Sequence, residues 1–171
     1  MRATIWRHLP AMATRGVRLD VSLAEGLRRV PRRADLRRWV AAAADVAGAT
    51  GVVSLRIMDE VEMRELNARY RGRDKPTNVL SFPADDASSG PRLLGDLALC
   101  APVVEREAQA QGKALADHYA HLVVHGVLHL LGFDHETDDD AADMEAKEVA
   151  VLAQLGIADP YADRSAAGAG A

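Results

Sequence analysis

The sequence predicts an α+β domain, a small mixed sheet of four strands packed with about five helices. Three observations carry this expectation. Short runs rich in Val, Leu and Ile alternate with longer stretches of helical periodicity, in the order strand, helix, strand, helix, two strands, then helices. Gly, Pro and short polar residues stand between those runs, where turns and caps need them. With 171 residues, 49% of them apolar, the chain can bury a substantial core.

Val17-Arg-Leu-Asp-Val21 alternates apolar and polar residues and reads as the first strand. Leu36, Trp39, Val40 and Ala43 recur at helical spacing in the Ala-rich stretch 34–47, which Gly48 closes. Gly51 leads into Val52-Val-Ser-Leu-Arg-Ile-Met58, the second strand. Asp59 with Glu62 three residues on is a capping-box pattern, and the helix it starts runs to about Tyr70 and stops before Gly72. Arg71-Gly-Arg-Asp-Lys-Pro76 is a loop by composition. Thr77 to Phe82 is a third strand ended by Pro83, residues 85–91 form a polar loop, and Leu93 to Cys100 is a fourth strand. Two helices follow, over about 101–111 and 114–131, with Gly112 between them. Thr137 caps a last helix that Gly156 ends. Asp138, Asp139 and Asp140 occupy its first turn, where carboxylates favour the helix dipole, a reading preferred to a second metal site.

No apolar run is long enough for a membrane-spanning helix, and the first dozen residues lack a signal-peptide core. The single Cys100 cannot form an internal disulfide, so a reduced cytoplasmic location is the expectation. Charge is uneven. Residues 1–75 carry 16 basic against 9 acidic side chains, whereas residues 76–171 carry 5 against 16. The basic half suits a polyanion surface or simply solvated helix faces. Aromatics at 4% argue against a base-stacking platform of the RRM or OB type.

Five of the six histidines fall between His118 and His135. His125 and His129 stand four apart, so on a helix they share one face. Such a pair alone is usually accidental. Gly132 permits the left-handed turn that ends a helix, and the chain can then return His135 as a third imidazole. Three imidazoles leave one position of a tetrahedral zinc open for water, the layout of a catalytic site. Nickel or iron would also accept this donor set. A zinc-bound water has a pKa of about 7, so hydrolysis of peptide or phosphodiester bonds is within reach. Metzincin proteases place a Glu general base directly after the first histidine, but this chain has Gly126 there, which weighs against proteolysis. Met144, in the last helix, reads as a core methionine rather than a Met-turn.

The string His125-Gly-x-Leu-His129-Leu-x-Gly-x-Asp134-His135 resembles the signature of the YbeY family of bacterial rRNA-maturation endoribonucleases. Asn67-Ala-Arg-Tyr-Arg71-Gly-Arg-Asp-Lys-Pro-Thr-Asn-Val-Leu-Ser-Phe-Pro83, Leu94-Gly-Asp96, and Met144-Glu145 with Glu148 resemble further segments of it, over about residues 52–161. The resemblance implies a zinc-bound, single-strand-specific endoribonuclease acting in 16S rRNA 3′-end maturation and ribosome quality control, with the small ribosomal subunit and its proteins as partners. It implies His125, His129 and His135 as metal ligands, and Arg71 in the cleft. Arg71 and His125 are thus the candidate catalytic residues. A guanidinium fork suits the charge that builds on nonbridging phosphate oxygens, although an arginine at a helix C-terminus also complements the dipole.

Other residues keep open readings. His121, one turn before His125, suits a proton carrier, a partner to the ligand set or a phosphate contact. Asp134 either orients an imidazole or ends the helix. Thr77 and Ser81 touch substrate or merely build a strand. Cys100 reads as a buried strand residue and His118 as a surface one. The basic segment Arg69 to Lys75 suits phosphate contacts. The expected organisation is an N-terminal extension over 1–16, with Met12 an alternative start, one metal-dependent hydrolase domain over 17–161, and a disordered Ala/Gly-rich tail over 162–171. Two rival readings stand beside the nuclease: a non-catalytic ribosome assembly factor with a structural zinc, and a zinc hydrolase of another small substrate.

Overall fold

A computed structural model describes residues 16–85, 92–134 and 136–162. It contains β1 (Val17–Leu23), α1 (Arg33–Asp45), β2 (Gly51–Met58), α2 (Glu60–Arg71), β3 (Val79–Pro83), β4 (Leu93–Cys100), α3 (Ala101–Ala110), α4 (Leu115–Leu130) and α5 (Asp138–Gln154). The α+β class, the four-stranded mixed sheet and the five helices are as the sequence predicts. Nearly all of the expected extension and tail, and most of the loop before β4, lie outside the described residues.

The strands run in the order β1-β2-β4-β3. β2 pairs parallel with β1 and with β4, whereas β3 pairs antiparallel with β4 at the edge. β2 and β4 are central and covered on both faces, which explains their near-continuous apolar sequences. Alternate residues of β4 serve two cores. Leu97 and Leu99 join the larger one, with Leu36 and Trp39 of α1, Val123 and Val127 of α4, and Leu152 of α5. Ala98 and Cys100 join a smaller one with Met63 and Leu66 of α2 and Leu80 of β3. Cys100 is fully buried, as expected, and burial pushes its thiol up to about 11. Met144 is likewise a core residue.

Helix termini follow local chemistry. Asp59 caps α2, its side chain accepting from the Glu62 N–H at 2.9 Å. Gly72 ends α2 at φ 68°, with its N–H on Ala68 O at 3.1 Å and the Arg73 N–H on Asn67 O at 3.3 Å. Thr137 caps α5 by accepting from the Asp140 N–H at 3.1 Å. Some boundaries move: β1 extends to Leu23, α1 ends at Asp45, and β3 begins at Val79, not Thr77. Asn78, just before it, still accepts from the Cys100 N–H of β4 at 2.9 Å, and its side chain takes the Val79 N–H at 2.7 Å.

Candidate active site

α4 carries the histidines because its other faces are needed for the core. Tyr119, Leu122, Val123, Val127 and Leu130 are buried, which leaves His121, His125 and His129 in a row at four-residue spacing. Gly126 faces the sheet. A Cβ there would meet Leu97 Cδ2 at 2.7 Å and Ser81 Oγ at 3.3 Å. The position that a metzincin gives to its base is therefore a packing contact in this chain.

α5 crosses α4 and presents Glu148 to that row. Glu148 is 1% exposed. His125 Nδ1 lies 2.5 Å from Glu148 Oε1, and His121 Nε2 lies 3.1 Å from Oε2. The Tyr161 hydroxyl donates to the same Oε2. Burial would raise the carboxyl's pKa. The hydrogen bonds from His121 and His125, the charge of His125 and the Tyr161 bond outweigh it and hold Glu148 down at about 2. Glu148 is thus an acceptor-only carboxylate. A neutral His125 that donates from Nδ1 to this carboxylate has its lone pair on Nε2.

His125 Nε2 faces His129 Nε2 at 3.1 Å. Two ring nitrogens this close need a proton or a cation between them. Tetrahedral donors with bonds of about 2.0–2.1 Å stand about 3.3 Å apart, so the pair matches the bite of one zinc-sized ion. His129 Nδ1 lies 3.9 Å from Asp134 Oδ1, too long for a hydrogen bond, which favours a loose electrostatic role for that half-exposed carboxylate. His135, the third expected ligand, lies outside the described residues. Among the described residues no group of three or more His, Cys, Asp or Glu side chains is arranged to hold a metal ion.

Arg71, the last residue of α2, is drawn over β3. Its Nη2 donates to Ser81 O at 2.9 Å and its guanidinium lies 5.5 Å from the Phe82 ring centre. Ser81 therefore touches both halves of the site, its carbonyl oxygen on Arg71 and its hydroxyl oxygen beside Gly126 of α4. Arg71, Arg73 and Lys75 line a cavity of about 460 Å³ that Thr77 also borders.

His118 corrects a sequence expectation. It is 4% exposed, not a surface residue, and its Nε2 lies 2.9 Å from Glu107 Oε2 of α3. Its partner belongs to another helix, so spacing within α4 does not reveal it. Glu148 and Tyr161 were not singled out from chemistry either. A signal existed for Glu148: it shares a helical stripe with Met144, Val151 and Leu152, all buried.

A family model described as Endoribonuclease YbeY matches residues 29–156. A protein of Stenotrophomonas maltophilia named Endoribonuclease YbeY is 55% identical over 157 residues, covering 87% of this chain and 98% of its own. One of the same name from Alkalilimnicola ehrlichii is 58% identical over 140 residues, covering 77% and 82%. The solution structure of TM1509 from Thermotoga maritima superposes with a TM-score of 0.51 at 24% identity, over 81% of this chain and 91% of that one, and shares the fold. With a family model matched over most of its length and relatives at such identity, the chain belongs to the endoribonuclease YbeY family.

Proposed function

We propose that this chain is a zinc-dependent, single-strand-specific endoribonuclease acting in 16S rRNA 3′-end maturation and ribosome quality control, in the cytoplasm and at the small ribosomal subunit. Family membership supports RNA as the substrate. The observation that carries the metal is the facing pair His125 Nε2 and His129 Nε2 at 3.1 Å, with His125 Nδ1 held by buried Glu148. His125, His129 and His135 are the proposed ligands. When bound, zinc supplies a water of pKa about 7 and polarises a phosphoryl oxygen.

The chain's own residues do the rest. Glu148 keeps the His125 tautomer that a ligand needs, and Tyr161 and His121 hold Glu148 in place. Arg71 offers its fork to the nonbridging oxygens, steadied by Ser81 O and Phe82. Arg73 and Lys75 extend the positive wall along which a strand's phosphates lie. No described helix is long and apolar enough to cross a membrane.

The test is cleavage of a single-stranded RNA by wild type and Arg71→Ala, purified in parallel and matched for bound zinc. Wild type is expected to cut, and the variant to lose roughly tenfold or more, about 1.4 kcal/mol of transition-state stabilisation. Equal rates would remove Arg71 from the reaction. A wild type that binds the small subunit but cuts no RNA would favour the assembly-factor reading.

A further inference from the structure

The cavity beside Arg71 contains a carboxylate for which cleavage itself has no use. Three cations, Arg71, Arg73 and Lys75, line it. Among the described residues none of them is paired with a carboxylate. Asp74, in the same loop, is turned away onto Arg64 by two hydrogen bonds of 2.7 Å. Asn67 Nδ2 donates to Lys75 O at 2.7 Å and pins the loop. This wall suits a phosphate.

Glu107 of α3 lines the same cavity. It is held in one orientation. Asn78 Nδ2 donates to its two oxygens at 3.2 and 3.0 Å, and His118 Nε2 reaches Oε2 at 2.9 Å. His118 is an imidazole buried at 4% exposure. Burying a polar ring is costly without a bond, so the bond to Glu107 is its compensation. A carboxylate has about four acceptor positions. The bonds from Asn78 and His118 occupy at most three, and the side chain stays 33% exposed. Oε1 therefore keeps an acceptor position.

A fixed carboxylate repels phosphate, so it weakens a site built for phosphate alone. It favours a ligand that brings a hydrogen-bond donor as well. A nucleotide brings both. Resting on the RNA-cleaving reading above, we propose that this cavity binds one nucleotide of the RNA. Its phosphate lies toward Arg71, Arg73 and Lys75, and a donor, the exocyclic amine of the base or the ribose 2′-hydroxyl, lies on Glu107 Oε1. Glu107 is then a specificity-determining residue. A purely structural Glu107 would tie α3, the segment before β3 and α4 together but would not discriminate between nucleotides.

The test is titration of the zinc-loaded full chain with CMP, UMP and deoxycytidine monophosphate, followed by amide chemical shifts. UMP carries a carbonyl oxygen in place of the amine of CMP and an N3–H in place of its N3 acceptor, so its donor sits at another ring position, and deoxycytidine monophosphate lacks only the 2′-hydroxyl. CMP is expected to bind at least roughly tenfold more tightly than one of the other two, which identifies the donor. Glu107→Gln is expected to abolish that difference while inorganic phosphate still binds. Equal binding of all three by wild type overturns the proposal, and that result does not depend on the variant. A preference that persists in folded Glu107→Gln overturns it too. RNA cleavage by the same preparations separates the two readings. A chain that cuts without discriminating loses the subsite alone, and one that discriminates without cutting loses the nuclease and keeps the subsite.

Discussion

Glu148 takes a position on α5 that a helix normally gives to an apolar side chain. Met144, Val151 and Leu152 surround it on the same buried face. Its two oxygens are used by His125, His121 and Tyr161, and the hydrogen bond to His125 Nδ1 makes Nε2 the better metal donor. Glu148→Gln keeps the shape and removes the charge. It is expected to weaken zinc binding about 10–100-fold in a chelator competition, with the fold retained. Unchanged zinc affinity would leave Glu148 a packing residue. At this scale the sequence was half legible. The His125–His129 pair shows itself through helix geometry alone. Glu148 stands in a segment that resembles the family's, on a stripe with Met144, Val151 and Leu152, but gains a partner only once α5 is known to lie on α4. His118 reads as surface until Glu107 is known to reach it from α3. A partner on another element leaves no spacing to detect.

Packing of α4 on the sheet depends on one small residue. At Gly126 the helix comes so close to β4 and β3 that a Cβ would sit 2.7 Å from Leu97 Cδ2. Leu97 is fully buried and has little room to move. Gly126→Val is therefore expected to destabilise the fold by about 1–3 kcal/mol in urea unfolding, although valine is the better helix former. Equal stability would mean that α4 does not rest on β4 as described. The elements themselves were legible because periodicity and punctuation agree: Asp59 and Thr137 cap helices, and Gly72 ends one. The strand order was not. β4, last in the chain, is central, while β3 forms an antiparallel edge. That order depends on which strand is covered on both faces. The largely apolar run of β4, broken by Asp96, hints at this without determining it.

Over the whole molecule the basic half of the chain divides into two parts. Arg29 and Arg32 are in ion pairs with Glu105 and Asp35, and Arg33 and Arg38 donate to the carbonyl oxygens of Val21 and Leu155. That part behaves largely as a solvated face. Arg71, Arg73 and Lys75 instead converge on one cavity. If three phosphates of a short single-stranded RNA are neutralised there, the logarithm of the binding constant should fall with the logarithm of salt concentration at a slope of about −2. A slope near zero would move RNA binding away from this wall. The charge asymmetry was visible in composition, but composition does not say which arginines are already engaged.

The proposed site is a metal held by three imidazoles with a position left for water. X-ray absorption at the zinc edge of the loaded full chain tests it most directly. Three imidazole nitrogens at about 2.0–2.1 Å and an oxygen ligand from exchangeable solvent are expected. A site closed by four protein ligands, or zinc scattering without imidazole nitrogens, would contradict it.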